Sequence, residues 1–474
     1  MGIEITRKDV VWGYVAKFFQ IGTGIVTLPL ILHLLTKEEV GMNYLMLTVS
    51  SIVGLLDFGF SPQFGRNFTY VNSGARQLCR EGIQESAGGE VDWHLLSVLI
   101  RTARYVYRRL SVIALIVMLS FGTVYIHHLT EGFTNIPHSL AVWILYSLST
   151  YFNIYFSYYS SLLTGSGMIR ESSQAAILSK SVYLILCVTF LLLGWGLFAV
   201  AAANFIAPFV QRFYSYRVYF THELKSRLDT DIRREEIRET FDIIWFNAKK
   251  LGINFIGAYA VNKMGMFIIG FFLPLAAIGS YGLLTQLTTI VSGIANTLFV
   301  TFLPKISNLR VTGNRPELKR TISFSIVTGQ IIMIAGALAI VFIVPPLLEL
   351  IKSQTELPSR LICALYLFIM FLELNHSEFA SVISTSNRIP YVVPSLVSGG
   401  AIVLLTFIVL KYTSLGLLGV VLVQGIVQAS YNNWRWPMWV FNELGMTLKE
   451  FYGTGFRSIS SKIKSLCVSM LKSA

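Results

Sequence analysis

The chain has 474 residues, 54% of them hydrophobic and 13% charged, with a net charge of +13 and a mean hydropathy of +0.62. A soluble protein of that composition would carry far more apolar surface than its cores can hide. This excludes an ordinary soluble enzyme and points to a polytopic membrane protein.

Apolar stretches of the length a hydrocarbon core requires, about 20 residues each, run over 11–35, 40–66, 108–127, 139–164, 175–194, 197–219, 241–272, 276–303, 321–345, 361–385, 391–411 and 414–435. The fold class predicted is all-α, with twelve membrane spans. Lys37, Lys352, Arg360 and Lys411 fall in or beside the odd-to-even connections, Lys17 and Lys263 are read as lying within spans, and the rest of the 38 Lys and Arg are counted with the other connections and the terminal segments, or with the span ends that adjoin them. Because such residues are retained on the cytoplasmic side, both termini are expected in the cytoplasm. Membrane lipids with anionic heads suit this charge, and no nucleic-acid partner is needed to explain it. Arg7 and Lys8 precede an apolar run too long for a signal-peptide core.

The first span places Gly13, Lys17, Gln20, Gly24 and Thr27 at steps of three and four, on one narrow face. A Lys at the bilayer centre costs about 2.5–3.5 kcal/mol on insertion scales, so Lys17 either lines a wet cavity or snorkels to the surface. The second span carries Asp57 and Arg66, with Gly59, Pro62 and Gly65 between them. Pro removes a donor and Gly loosens a turn, which predicts a break or hinge there; Asp57 then either neutralises Arg66, caps the next turn, or takes part in ion coupling or gating with Pro62. The inner connection that follows contains Trp93–Arg109, where Leu95, Leu96, Leu99 and Ile100 alternate with Arg101, Arg104, Arg108 and Arg109. This is the pattern of an amphipathic helix on the inner leaflet or of a solvated extension of the third span.

The fourth span has Tyr146, Thr150, Asn153, Ser157 and Thr164 in one stripe, whereas the fifth and eleventh are largely apolar and are expected to face lipid. A second basic connection separates six spans from six. The seventh carries Asn247, Asn254, Ala258 and Asn262 with Lys263 beside its end; the eighth carries Gln286, Thr289, Gly293 and Asn296; the twelfth carries Gln424, Gln428 and Asn432. The tenth has Glu373 near its middle, with His376 and Glu378 following and Ser377 and Ser384 on its face. Polar residues in hydrocarbon normally face protein or water, so these stripes either line a cavity or join helices by hydrogen bonds. Glu373 is the candidate carrier of H+ or Na+.

Setting Leu35–Val53 above Leu273–Val291 matches Leu35 with Leu273, Gly41 with Gly279, Leu45 with Leu283, Ile52 with Ile290 and Val53 with Val291 without a gap. Two parallel repeats follow: a bundle over 1–220, a basic linker over 221–240, a second bundle over 241–436 and a basic tail over 437–474. Cys79 and Cys467 lie in cytoplasmic segments and Cys187 and Cys363 inside spans, so no disulfide framework is implied. No glycine-rich phosphate loop, C-x-x-C or H-E-x-x-H occurs; the chain is expected to be a transporter rather than an enzyme, with no cofactor or metal.

The turn LTKEEVGMNY at Leu35–Tyr44 and the segment LLDFGFSPQFGR at Leu55–Arg66, within two six-span halves, resemble the polysaccharide flippases of the multidrug/oligosaccharidyl-lipid/polysaccharide exporter superfamily, Wzx-type O-unit translocases in particular. The topology resemblance covers nearly the whole chain and the motifs about its first 70 residues. It implies two bundles enclosing a cationic cavity that moves an undecaprenyl-pyrophosphate-linked oligosaccharide, an O-antigen unit of lipopolysaccharide, across the bacterial inner membrane by alternating access. Lys17 and Arg66 would be cavity cations, and glycan polymerase machinery a further partner. Glycan-binding groups expected beside them are Gln20, Asn153, Asn247, Asn254, Asn262, Lys263, Gln286, Asn296, Gln424 and Gln428. The alternatives are a drug/cation antiporter of the same superfamily and a membrane glycan polymerase; short external connections disfavour the latter.

Overall fold

The computed structural model describes residues 7–80, 90–229, 231–311, 314–386 and 390–473. It is all-α, and the chain divides into two compact units, Met1–Ile256 with Pro274–Ala276, and Gly257–Leu273 with Ala277–Ala474. Among the described residues nine helices are long and apolar enough to cross a membrane.

The first unit contains α1 (Arg7–Leu34), α2 (Lys37–Gly54), α3 (Phe60–Asn72), α4 (Trp93–Val117), α5 (Thr123–Leu129), α6 (Ser139–Phe156), α7 (Tyr158–Gly165), α8 (Ile169–Leu192), α9 (Leu197–Tyr219), α10 (His222–Arg227) and most of α11 (Arg234–Asn262). Its helices pair as α1 with α8, α8 with α9, α6 with α9 and α3 with α7. One end is an aromatic core in which Phe60, Phe64 and Phe68 of α3 meet Tyr107, Tyr158 and Tyr159. A π-helical turn, Met118–Gly122, joins α4 to α5. The resulting rod has 37 residues, about 55 Å at 1.5 Å per residue, which is roughly 25 Å more than a hydrocarbon core. Trp93–Arg109 are the first turns of this rod and run without a break into the third span.

The second unit holds α12 (Met264–Ile269), α13 (Leu275–Val311, whose first two residues count with the first unit), α14 (Arg315–Phe342), α15 (Val344–Leu350), α16 (Arg360–Ser384), α17 (Val392–Tyr412), α18 (Gly416–Ser430), α19 (Asn432–Leu444) and α20 (Leu448–Ser473). Here α14 packs on α20 and α16, and α16 on α18 and α19. The C-terminal segment is part of this packing, because Phe451 is buried beside Phe379 and Phe441.

Several of the twelve expected spans are interrupted. The fourth breaks at Ser157, the seventh at Lys263 and the twelfth at Tyr431, each between two shorter helices. All three carry polar stripes, and at Ser157 the hydroxyl donates to the Ile154 carbonyl at 2.8 Å, the local competition that bends helices at Ser and Thr. The second span breaks too, though upstream of its proline. Leu55–Asp57 form one tight 3-10 turn, and Phe58 and Gly59 take left-handed φ values of 45° and 80° before α3 begins. Pro62 falls in the first turn of α3, where a missing donor costs no helical hydrogen bond, and Gly65 is inside the helix.

The internal match shows in the helix starts. Lys37 opens α2 and Leu275 opens α13, the same spacing as the superposed residues. Thr36 and Glu39 form a capping box at the first of them. Thereafter the repeats diverge: α2 ends at Gly54, whereas α13 runs on to Val311.

Candidate functional site

In the first unit α1, α8 and α9 converge on a cavity of about 320 Å³ lined by Gly13, Ala16, Lys17, Gln20, Ser179, Lys180 and Gln211, with Ala176 completing the wall. Gly13 sits one turn before Lys17 and carries no side chain to fill the space; a Cβ there would meet nothing within 4 Å. Lys17 and Gln20 are thus brought together as their spacing implies. Lys180 is a second cation that sequence reasoning left out of the site, because it stands alone in an apolar span. Its ammonium lies 5.4 Å from the Tyr183 ring centroid, a weak attraction that leaves its hydrogen-bonding capacity free for an anion. Along the fifth span Ile185, Leu192 and Leu193 are exposed apolar groups, whereas Ser179 and Lys180 line this cavity. Two ammonium groups with amide and hydroxyl neighbours make a site for a compact anion.

Asp57 has a structural partner set. Its Oδ1 accepts from the Tyr107 hydroxyl at 2.6 Å and its Oδ2 from the Ser61 amide at 3.1 Å, so it caps α3 and ties the break to α4. The Phe58 ring lies over Gly252 and stacks on Trp245 at 5.5 Å. Arg66 is exposed on α3; it does not line the Lys17 cavity, and among the described residues the Asp57 carboxylate is bonded to Tyr107 and Ser61 rather than to Arg66.

The polar stripes divide in the same way between binding geometry and packing. Asn153 donates to the Ser149 carbonyl at 3.0 Å on its own helix. Asn247 donates to the Arg80 carbonyl at 2.8 Å, holding the segment after α3 against α11. The Asn254 side chain lies outside the described residues. Asn262 and Lys263 are exposed at the end of α11, and Gln286 and Asn296 are half-buried along α13.

The second unit contains a buried hydrogen-bond network. Glu373 on α16, 7% exposed, accepts at Oε2 from Gln428 Nε2 at 2.9 Å. Asn432 donates to Gln428 Oε1 at 2.7 Å and to Ser398 Oγ at 2.8 Å. On the other flank His376 Nδ1 lies 2.8 Å from Asn433 Oδ1 and 3.8 Å from Glu373 Oε1. Glu373 Oε1 and Asn433 Nδ2 are buried without a hydrogen-bond partner among the described residues. An acid, an imidazole and four amide or hydroxyl groups converge here, a set of donors and acceptors able to exchange a proton or hold a hard cation. Gln424 lies a turn away, its Nε2 at 3.9 Å from Met370 Sδ. Ser398 and Asn433 were missed by the sequence reading, since neither shares a stripe with Glu373; only the packing of α17 and α19 brings them in.

Elsewhere in the first unit His94 bridges two acids, with Nδ1 at 2.9 Å from Asp229 Oδ2 and Nε2 at 2.9 Å from Glu236 Oε1. The hydrogen bond to Asp229, then that to Glu236, raises the imidazole above its ordinary range. The same contact, followed by the Arg233 amide, holds Glu236 below the usual carboxylate range.

Residues 99–310 match the family described as polysaccharide biosynthesis protein. None of the curated proteins matches the chain. Among solved structures it is similar to the lipid II flippase MurJ in an inward closed conformation, with a TM-score of 0.65 at 15% identity over 95% of this chain and 91% of that one. It is also similar to an inward-facing multidrug resistance MATE transporter of the MOP superfamily, with a TM-score of 0.62 at 14% identity over 91% and 95%. A third likeness is to the MATE multidrug transporter DinF-BH, with a TM-score of 0.57 at 13% identity over 93% and 95%. Sequence and fold agree on a polytopic membrane protein whose fold is that of the MurJ and MATE structures it is similar to, with residues 99–310 matching the family described as polysaccharide biosynthesis protein.

Proposed function

We propose that the protein is a flippase that carries an undecaprenyl-pyrophosphate-linked oligosaccharide, such as an O-antigen unit, from the inner to the outer leaflet of the bacterial inner membrane. The observation that carries this reading is the cavity shared by Lys17 and Lys180, with Gln20, Ser179 and Gln211 around them. A pyrophosphate needs countercharge and donors, sugar hydroxyls need amides and hydroxyls, and an isoprenoid chain can stay in lipid. Arg66, exposed on α3, is assigned to the same headgroup at another stage of transport. The amide-rich network around Glu373 is the candidate site for the H+ or Na+ whose gradient drives the cycle. The interruption at Leu55–Gly59, with Asp57 and Pro62 on its flanks, supplies the bend that alternating access uses.

The test is surface display of the glycan in cells whose own lipid-linked glycan flippase is deleted, with the variants inserted at equal levels. Lys17→Ala, Lys180→Ala and Arg66→Ala should each lower display about tenfold or more, the loss of one charged contact of about 1.5–3 kcal/mol. Lys17→Arg should keep most of it. Full display by a Lys17→Ala, Lys180→Ala double variant would sink the headgroup site, and drug efflux without glycan display would replace the flippase reading by an antiporter.

A further inference from the structure

Glu378 is a second acid on α16, and it belongs to none of the networks above. It follows Glu373 by five residues, which turns it about 140° round the helix and moves it about 7.5 Å toward Ser384. It is 1% exposed, and among the described residues neither of its oxygens has a hydrogen-bond partner. Helix α14 meets it with Gly329, where an added Cβ would stand 3.4 Å from Glu378 Oε1 and 3.0 Å from the Ala295 carbonyl of α13. The glycine lets three helices close over the acid. Neither α13 nor α14 brings it a titratable group at that contact. On its own helix Glu373 and His376 are turned to Gln428 and Asn433. Of the cations at the same end of the unit, Arg310 pairs with Glu443, Lys305 with Glu317 and Lys319 with Glu450.

An ionised carboxylate in such a place loses its hydration and gains neither a cation nor a donor, a far larger penalty than burying the neutral acid. A site that gives the acid neither a hydrogen-bond donor nor an ion pair among the described residues therefore selects the protonated form. The acid is also expensive there compared with an apolar side chain of its size, and an unsatisfied group of this kind calls for a role in another arrangement of the helices.

We propose that Glu378 is a proton-binding site of the second unit, separate from Glu373. The carboxyl holds one proton while α13, α14 and α16 are packed over it. When the contact at Gly329 parts and water reaches the side chain, the proton leaves to solvent and a carboxylate remains; closure takes one proton back. Two packings with different proton affinity are what coupling to a proton gradient requires. The transport consequence rests on the flippase reading above, whereas proton occupancy of Glu378 does not.

Infrared difference spectroscopy on the purified full chain in lipid nanodiscs tests the occupancy. The carbonyl stretch of a protonated carboxyl, identified by its shift in heavy water, should be present in the wild type at neutral pH, absent in Glu378→Gln and retained in Glu373→Gln. Equal spectra for Glu378→Gln and wild type would overturn the proposal. Should Glu378→Gln fail to insert, alkaline titration of the band in the Glu373→Gln protein decides: a slowly exchanging band that survives neutral pH supports the site, and its absence overturns it. In the glycan-display assay Glu378→Gln should reach normal levels of protein yet lose display. Normal display with a lost band would remove the site from the cycle, and no display by the wild type itself would count against the flippase reading while the spectroscopic result stands.

Discussion

Gln428 donates from Nε2 to Glu373 Oε2 at 2.9 Å and so joins α18 to α16 across the buried core of the second unit. Asn432 continues the chain of bonds to Ser398 on α17. Three spans are therefore held in register by side-chain hydrogen bonds, in a region where apolar packing alone would specify position poorly.

Removing one member strands the others. Gln428→Leu removes the donor that Glu373 has among the described residues and should lower unfolding stability in mixed micelles by about 1–3 kcal/mol. Glu373→Gln, which keeps an acceptor oxygen, should cost less. A double-mutant cycle on the pair should give a coupling of about 0.6–1.7 kcal/mol; zero coupling would mean that the bond carries no energy in the folded unit.

Close helix approach in the first unit makes a separate forecast. A Cβ on Gly165 would collide with the Gly65 carbonyl and lie 2.5 Å from Phe68 Cβ, both on α3. Neither obstacle is the end of a flexible side chain, so Gly165→Ala should destabilise the α3–α7 contact by about 1–3 kcal/mol. Gly13→Ala, where an added Cβ meets nothing within 4 Å, is the control; it should be neutral or gain up to about 1 kcal/mol from helix propensity. Equal unfolding midpoints for the two variants would show that α3 and α7 can separate without loss.

The His94 clamp predicts a pH window. Its imidazole is raised when folded, so its stabilisation is present below the unfolded value near 6.5 and is lost as pH rises through the higher folded value. Glu236 is lowered when folded, so its contribution is present above the ordinary carboxylate value and is lost as pH falls through the lower folded one. The connection around Asp229 and Glu236 should thus be best protected between about pH 4.5 and 6.5. Hydrogen exchange of residues 221–240 across pH 4–9 measures this. Protection that rises steadily above pH 7, or that keeps the same pH dependence in His94→Gln, would dissociate the clamp from His94.

Much of this molecule was legible in one dimension because a bilayer restricts the chain to helices and charges it for every polar group. The alternation of apolar stretches with basic connections led to the span count, and the spacing of Lys17 and Gln20 on one helix face already set them on one wall of a cavity. The match between Leu35–Val53 and Leu273–Val291 located two equivalent helix starts, since capping chemistry is local. Glu373 could likewise be singled out, because an acid in the middle of a span is conspicuous against hydrocarbon.

Tertiary structure decided everything that depends on a neighbour from a distant part of the sequence. Lys180 joins Lys17 because α8 packs on α1, and no periodicity within either span reports that contact. Asp57 caps α3 and accepts from Tyr107 rather than pairing with Arg66, since the turn at Leu55–Gly59 aims its carboxylate at α4. Asn153 and Asn247 spend their amides on a nearby and a distant carbonyl, a choice that stripes cannot distinguish from cavity lining. Glu373 and Glu378 are five residues apart in the sequence, yet one meets Gln428 and the other meets Gly329. A single helix turns neighbouring acids to different partners, and the partners determine whether a carboxylate is hydrogen-bonded or sealed in.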